Sequence, residues 1–150
     1  YAAISDKGFV AFSEDGISWR VATVLNGTTP VGSAICVLSR DTWLAGLTDG
    51  TIQMTADSGA TWTTVLDVTG TVNDILMVTR HVIYATIGST LYRSTDGGAS
   101  WNVEPNVQGR TFISMTSVSK MAVCPDDRNQ IAIIGIKASD LRLIKGTPGA

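Results

Sequence analysis

The chain has 150 residues, a formal net charge of −2 at pH 7 and 44% hydrophobic residues, a composition that excludes a disordered chain. Charged residues make up only 16% and no run of Lys or Arg occurs, so the sequence offers no electrostatic attraction for nucleic acid or an anionic membrane. No apolar run approaches the roughly 20 residues that span a bilayer, and we expect no membrane insertion.

The predicted elements are short strands from the first residue onward. Residues 1–15 align without gaps onto residues 43–57, and each copy reads as a strand, a polar turn and a second strand. Val, Ile, Thr, Tyr and Trp dominate the strands, and Gly or Asp bounds them. After three strands within residues 1–25, the predicted strands are 33–39, 43–47, 51–55, 61–68, 72–79, 82–87, 90–93, 100–104, 120–124, 131–136 and 141–144. This gives about fourteen strands and no convincing helix.

Three similar segments recur along this series of strands. They read Ser13-Glu14-Asp15-Gly16-Ile17-Ser18-Trp19, Thr55-Ala56-Asp57-Ser58-Gly59-Ala60-Thr61-Trp62 and Ser94-Thr95-Asp96-Gly97-Gly98-Ala99-Ser100-Trp101, and we call them the aspartate turns. Their tryptophans are 43 and 39 residues apart, which is the length that four short strands and their turns require. The repeat predicts an all-β chain, a β-propeller built from four-stranded antiparallel blades.

The predicted domain is a single partial propeller over residues 1–150, about three and a half blades long. Its blades fall at about residues 1–25, 33–68, 72–104 and 112–150, the last of them incomplete. The incomplete blades leave unpaired sheet edges, and such edges pair readily with more chain or with another subunit. We therefore expect further blades of the same chain, or else another subunit, to complete the ring, and we prefer the longer chain.

The spacing within the aspartate turns indicates a structural device. The Asp carboxylate can accept hydrogen bonds from backbone N–H groups of its own turn, and the Gly that follows tolerates positive φ. The preceding hydroxyl can form a further hydrogen bond within the same turn. The Trp begins the next strand and offers a large apolar face to a neighbouring sheet. The residues assigned to this role are Ser13, Asp15, Gly16, Trp19, Thr55, Asp57, Gly59, Trp62, Ser94, Asp96, Gly98 and Trp101.

The pattern Ser-x-Asp-x-Gly-x-Thr/Ser-Trp resembles the Asp-box, or BNR repeat, of sialidases, sortilin-type receptors and phage surface proteins. The second and third aspartate turns match it apart from Thr55 in place of Ser, and the first is one residue short between Asp15 and Trp19. In that family the Asp-box lies on the hairpin of the two outer strands, on the face away from the ligand. The resemblance thus implies a structural role for the three aspartates.

A sialidase-like site is the obvious enzymatic alternative that the resemblance raises. That chemistry needs three arginines, a Tyr nucleophile backed by Glu, and an Asp, yet the family's Phe/Tyr-Arg-Ile-Pro motif is absent from this sequence. Arg20 and Arg93 flank aspartate turns, where strand alternation predicts solvent-facing side chains. We predict no sialidase site within these residues.

Other glycosidases need two carboxylates, one acid and one base or nucleophile. Asp74, beside Asn73 at the start of an innermost strand, is the best-placed candidate, ahead of Asp49, Asp67 and Asp140. Asp74 is a weak candidate, because no recognisable catalytic context surrounds it. We therefore predict no catalytic residue in this sequence. A fragment of an Asp-box glycoside hydrolase, with catalytic residues partly outside this sequence, stays the alternative.

No cofactor or metal site is predicted. The single His81 follows Arg80 in a turn on the side of the aspartate turns, and no cluster of His, Cys and carboxylates has metal-ligand spacing. Cys36 and Cys124 lie in apolar strand-like runs, and we expect both to be buried thiols.

The loops opposite the aspartate turns are the predicted binding surface, because propellers commonly bind through loops on a rigid scaffold. The loop over 104–111 carries Asn106, Gln108 and Arg110, and Asn73 and Asp74 complete the candidate set. Such side chains suit sugar hydroxyls or a protein partner. The expected function is a non-catalytic interaction module that contacts glycans or partner proteins. The Thr- and Gly-rich, charge-poor composition is typical of an extracellular or virion-surface location.

Overall fold

The computed structural model describes residues 1–5, 9–21, 31–104, 106–107, 110–111, 117–124, 131–137 and 140–146. These residues form sixteen β-strands and no helix, which confirms the all-β prediction. Within them there is accordingly no helix long and apolar enough to cross a membrane. The chain divides into two compact units, residues 1–72 and 73–150.

The first unit holds two antiparallel sheets. The first sheet contains, in spatial order, β1 (Ala2–Ile4), β2 (Val10–Phe12) and β3 (Arg20–Val21). The second sheet contains β4 (Gly32–Val37), β5 (Trp43–Leu47), β6 (Thr51–Thr55) and β7 (Thr63–Asp67). Each strand is hydrogen-bonded to its neighbour in sequence, so both sheets are simple meanders.

The second unit also holds two blade-like sheets, with a small hairpin in the chain between them. The third sheet contains β8 (Val72–Met77), β9 (Ile83–Ile87), β10 (Thr90–Ser94) and β11 (Asn102–Val103). The hairpin pairs β12 (Asn106–Val107) with β13 (Arg110–Thr111). The fourth sheet contains β14 (Ser117–Val123), β15 (Ile131–Lys137) and β16 (Asp140–Gly146).

The core of the first unit lies between its two sheets. Strand alternation places Trp43, Ala45 and Leu47 of β5 on one face, and these pack with Trp62 and with Val10 of the first sheet. Ile4 and Phe12 border the same cluster, and the rings of Phe12 and Trp43 lie 4.9 Å apart between centroids. The contact joins the face of the first sheet that carries Ile4, Val10 and Phe12 to the face of the second sheet that carries the two tryptophans.

The core of the second unit repeats this arrangement with different side chains. Tyr84 and Leu91 of the third sheet pack with Val78 and with Met121, and Val123 borders the cluster. Met121 and Val123 belong to β14, so the fourth sheet covers one face of the third. Burial raises the pKa of the Tyr84 hydroxyl above its ordinary value.

The structure corrects three details of the sequence interpretation. The segment 104–111, expected to be a loop, contains the β12–β13 hairpin. Arg93, expected to face solvent, is half-buried with its guanidinium 6.0 Å from the centre of the Tyr84 ring, because its position in β10 pairs with Tyr84 in β9. Cys36 is buried as expected, whereas Cys124, just beyond the end of β14, is only half-buried; neither forms a disulfide.

Candidate functional site

The second and third aspartate turns share one hydrogen-bond pattern. The backbone N–H of Thr61 donates to Asp57 Oδ1 at 2.8 Å, and the Thr61 hydroxyl donates to Oδ2 at 2.6 Å. In the third turn Ser100 makes the same two bonds to Asp96, at 2.9 and 2.5 Å. Each carboxylate therefore closes a loop of five residues that ends just before the Trp.

The hydroxyl that precedes each aspartate connects the carboxylate to the backbone. Thr55 donates to Asp57 Oδ1 at 2.7 Å and accepts from the N–H of Gly59 at 2.9 Å. Ser94 makes the equivalent bonds to Asp96 and Gly98, both at 2.8 Å. These hydroxyls are buried, so the two hydrogen bonds satisfy polar groups that would otherwise lose their contact with water.

The first aspartate turn is built differently because it is one residue shorter. Ile17 and Ser18 both donate their backbone N–H groups to Asp15 Oδ1 at 2.8 Å. Ser13 still donates to the carboxylate, at 2.9 Å, and accepts from Gly16 at 2.8 Å. The carboxylate thus keeps its role while its donors move to the second and third residues after it.

The hydrogen bonds lower the pKa of all three carboxyl groups to about 2. The largest cause is the Thr61 hydroxyl for Asp57, the Ser100 hydroxyl for Asp96 and the Ser18 backbone N–H for Asp15. Hydrogen bonds donated to a carboxylate favour its ionised form. A depressed pKa of this origin is typical of a structural carboxylate rather than of a proton donor.

Each of the two full-length turns also braces the neighbouring turn of its own sheet. Ser58 donates its backbone N–H to the carbonyl of Asp41, and Gly97 donates to the carbonyl of His81, both at 3.0 Å. Ser58 takes a φ of 59°, the left-handed conformation that Gly97 adopts in the third sheet. His81 is exposed and lies beside the aspartate turn, where the sequence had placed it.

The opposite end of the second sheet is also held by hydrogen bonds. Thr48 donates its N–H to the carbonyl of Val31 at 2.9 Å, and the Thr71 hydroxyl donates to the carbonyl of Thr48 at 3.1 Å. Gly50 has a φ of 96°, and a Cβ added to it would lie 1.7 Å from the carbonyl oxygen of Val68. The described turns at this end are therefore closely fastened to one another.

Asn73 and Asp74, two of the predicted binding residues, lie side by side in β8. Asn73 Nδ2 donates to the carbonyl of Gly88 at 3.1 Å. Asp74 Oδ2 accepts the backbone N–H of Met121 at 2.7 Å, and Oδ1 lies 3.5 Å from the Lys120 ammonium. The Asp74 side chain is only 18% exposed, so its carboxylate serves mainly to join β8 to β14.

Two other predicted binding residues, Asn106 and Arg110, lie in the β12–β13 hairpin, and Gln108 lies outside the described residues. Asn106 pairs with Thr111 and Val107 with Arg110. The strand β11 runs away from the third aspartate turn, and the N–H of Glu104 donates to the carbonyl of Leu91 at 2.8 Å before the chain reaches the hairpin. The hairpin forms a separate two-stranded sheet. It was not predicted, because strands of two residues are too short to show an alternating pattern in the sequence.

The three turn tryptophans have unequal environments. Trp62 is 8% exposed and lies in the core of the first unit, whereas Trp19 is 48% exposed. Trp101 is half-buried, and its indole N–H donates to the carbonyl of Gly98 at 3.0 Å. Among the described residues, the indole nitrogen of Trp62 has no hydrogen-bond partner.

An open hollow of about 350 Å³ lies at the aspartate-turn end of the first unit. Phe12 and Trp43 line it together with Ser39, and the exposed ion pair of Arg40 with Glu14, 2.7 Å between Nη2 and Oε1, lies at its rim. Sequence reasoning did not point to it, since its walls come from two sheets. In the part of the chain that the structure describes, no three His, Cys, Asp or Glu side chains are grouped as metal ligands.

No protein-family model and no curated protein matches the sequence. Solved structures do match it. YCF48 from Cyanidioschyzon merolae shares 19% identity at a TM-score of 0.72 over 99% of this chain and 47% of its own. A structure of YCF48 bound to D1 peptide shares 14% identity at a TM-score of 0.60, over 95% of this chain and 60% of its own.

The computationally designed Ika4 protein is similar as well, with 12% identity and a TM-score of 0.58 over 99% of this chain and 92% of its own. The chain spans about half to three fifths of the two YCF48 structures. YCF48 is a β-propeller, and the described residues of this chain form antiparallel sheets of three or four consecutive strands with a two-stranded hairpin between two of them. The chain therefore has the fold of part of a β-propeller.

Proposed function

We propose that this chain is a non-catalytic β-propeller module of the Asp-box type, which binds a protein partner at the end opposite its aspartate turns. The observation that carries the proposal is the β12–β13 hairpin, a two-stranded sheet of its own in the connection between the third and fourth sheets. Its four described residues are paired with one another and not with a blade. Such additions to a rigid scaffold are where binding surfaces usually arise.

The chemistry of the aspartate turns supports the scaffold half of this proposal. The carboxylates of Asp15, Asp57 and Asp96 each accept hydrogen bonds within their own turn. Their lowered pKa values keep them ionised at neutral pH, so they are poor proton donors. The arrangement agrees with the structural role that the Asp-box resemblance implies.

The environment of Asp74 weighs against the glycosidase alternative. A carboxylate pair that acts on a glycosidic bond must be open to the substrate on both sides. The Asp74 carboxylate instead accepts the Met121 N–H from a neighbouring strand and is largely covered. We therefore propose a binding protein and keep hydrolysis as an outcome of the test.

The class of partner is proposed from the fold. A peptide is bound to the propeller YCF48 in one of the similar structures, which supports a peptide segment as the partner here. Glycans are the competing class, and the charge-poor composition supports an extracellular or virion-surface setting for either.

Selection from a phage-displayed library of random 12-residue peptides, beside a glycan array and a panel of nitrophenyl glycosides, tests the proposal. We expect peptides that bind the chain and lose at least about tenfold in affinity for the Asn106→Ala/Arg110→Ala double variant. Arg40→Ala is the matched control, since Arg40 is exposed at the aspartate-turn end. It should leave peptide affinity unchanged.

Two results would overturn the proposal. The first is binding to the glycan array with no peptide selected. The second is glycoside hydrolysis that Asp74→Asn abolishes while circular dichroism shows the variant to be folded.

A further inference from the structure

The hollow at the aspartate-turn end of the first unit brings aromatic rings and polar groups together. Tyr1, Phe12 and Trp43 line it. Trp43 is buried and Phe12 is half-buried, whereas Tyr1 is 77% exposed. The volume of about 350 Å³ lies within the range of pockets that hold small ligands. The hollow is therefore large enough for a small ligand and offers it one accessible aromatic ring.

The exposed ring of Tyr1 is held in place by its surroundings. The main-chain nitrogen of Tyr1 donates to the carbonyl of Ser13 at 2.8 Å, and the N–H of Ser13 donates to the carbonyl of Tyr1 at 3.0 Å. A Cβ added to Gly16 would lie 3.2 Å from the Tyr1 ring, so the ring lies over the backbone of the first aspartate turn. A ring that is supported in this way can stack against a flat apolar ligand face at little cost in side-chain entropy.

The rim of the hollow supplies hydrogen-bond donors and acceptors. Arg40 and Glu14 form the exposed ion pair there, and the indole N–H of Trp43 donates to the carbonyl of Arg40 at 3.0 Å, which positions the arginine. An ion pair this exposed contributes little to stability, so its polar atoms stay available to a ligand. The Ser39 hydroxyl accepts the N–H of Thr42 at 3.1 Å and keeps its own proton to donate.

The formal charges around the site cancel. A smaller hollow of about 210 Å³ shares Glu14 with the first one and adds Asp15 and Arg20 to the lining. With Arg40, the two hollows are lined by two arginines and two acidic residues. Neither an anionic nor a cationic ligand finds an excess of opposite charge there. The balance favours a neutral ligand that carries closely spaced donors and acceptors.

The backbone of the walls is already hydrogen-bonded. Leu38 and Ser39 donate their N–H groups to the carbonyl of Thr42 at 3.0 and 3.1 Å, and Ser58 donates to that of Asp41 at 3.0 Å. An extended peptide commonly gains its affinity from main-chain hydrogen bonds to an exposed strand. Recognition in the hollow depends on side chains instead, which suits a compact ligand better than a peptide strand.

We propose that the two hollows form a binding site for a neutral oligosaccharide. The apolar C–H face of one sugar ring stacks on Tyr1, and its hydroxyls accept hydrogen bonds from Arg40 and donate them to Glu14. The neighbouring sugar lies in the smaller hollow. This site belongs to the aspartate-turn end of the first unit, so it is additional to the peptide site proposed at the hairpin.

A microarray of neutral, sialylated and sulfated oligosaccharides tests the proposal. We expect binding to neutral members, and no stronger binding to their sialylated or sulfated counterparts, because the charges of the site are balanced. The neutral oligosaccharide with the strongest signal is then titrated by calorimetry. Tyr1→Ala and Arg40→Ala should each lower its affinity at least about tenfold, whereas Tyr1→Phe, which keeps the ring, should retain most of it.

Ile17→Ala is the matched control. Ile17 is 85% exposed in the first aspartate turn and lines neither hollow, so its removal should leave the affinity unchanged. Because Tyr1 and Arg40 are also exposed, circular dichroism should show every variant to be folded. A loss of affinity in Ile17→Ala as large as that in Tyr1→Ala would contradict the assigned position of the ligand.

Three further results would overturn the proposal. The first is an array on which no neutral oligosaccharide binds, and the second is a preference for sialylated or sulfated members. The third is a selected peptide whose affinity falls in both Tyr1→Ala and Arg40→Ala, since a peptide would then occupy the hollow. The Asn106→Ala/Arg110→Ala variant tests the peptide site alone and should leave oligosaccharide affinity unchanged, so either proposal can fail without the other.

Discussion

The first and second sheets share a local pattern of strands and turns and end in very different surroundings. Both have a hydroxyl residue, an aspartate and a glycine in the turn, and in both the carboxylate accepts backbone N–H donors. Yet Trp62 is buried in the core of the first unit while Trp19 is half exposed. The difference arises because a sheet covers one face of the second sheet, and in the described residues nothing covers the corresponding face of the first.

The comparison separates two contributions to blade structure. The aspartate turn is a local device that holds its shape from hydrogen bonds within about five residues of chain. Burial of the Trp is a tertiary event that requires another sheet. A turn that keeps its hydrogen bonds beside an exposed Trp shows that the first contribution does not depend on the second.

Truncating Trp62 and Trp19 should give the largest difference in the free energy of unfolding between the two sheets. Trp62→Ala should reduce the free energy of unfolding by about 3–5 kcal/mol, because it opens a cavity in a packed core. Trp19→Ala should cost less than about 1 kcal/mol in the same chain, since its side chain has little cover to lose. Urea unfolding followed by circular dichroism measures both, and equal losses would break the comparison.

Removing the Asp74 carboxylate should have a smaller effect, which extends the comparison to the second unit. Asp74→Ala leaves the partly buried backbone N–H of Met121 without its acceptor. The substitution should lower the free energy of unfolding by about 1–3 kcal/mol. Asp67→Ala is the control, because Asp67 is exposed at the end of β7. Its free energy of unfolding should change by less than about 0.5 kcal/mol. A loss at Asp74 no greater than that at Asp67 would show that the contact to β14 contributes nothing.

The smallest expected effect is on the pH dependence of stability. In this respect the aspartate turns of the first and second sheets should behave alike. Asp15 and Asp57 have folded-state pKa values near 2, below the ordinary 3.8. Their contribution to stability is therefore fully present above pH 3.8 and is lost as the pH falls through about 2.

Asp15→Asn and Asp57→Asn should both be less stable than the parent chain at pH 6. For each variant the difference in the urea midpoint should shrink between pH 4 and pH 2. Trp19→Ala, which removes no titratable group, is the control, and its difference in the urea midpoint should stay constant over the same pH range. A difference that stays constant from pH 6 to pH 2 would contradict the assigned role of the carboxylates.

Sequence reasoning predicted most strands because their pattern is local. β5 and β6 match their predicted bounds residue for residue, and β8 and β9 differ by one or two residues at their ends. The outer strands β7 and β11 begin two residues later than predicted. Thr61 and Ser100 are committed to the aspartate carboxylates instead of to strand pairing.

The candidate site was harder to predict, because its character depends on contacts between distant residues. Asn73 and Asp74 were singled out as polar residues near a sheet end, but their partners Gly88 and Met121 come from other strands. Strand alternation alone predicted a solvent-facing Arg93. In the structure its guanidinium lies over the ring of Tyr84 in the adjacent strand. The hairpin of β12 and β13 consists of two-residue strands, too short for an alternating pattern.

For this protein the sequence by itself determined the repeat, the strand order within each blade and the chemistry of the aspartate turns. These features rest on period-two alternation and on hydrogen bonds between residues close in the chain. Only the tertiary structure decided which faces are covered, which tryptophan is buried and which carboxylate joins two sheets. Burial and long-range hydrogen bonds depend on the sheet that lies opposite, and similar local patterns contain no record of that neighbour.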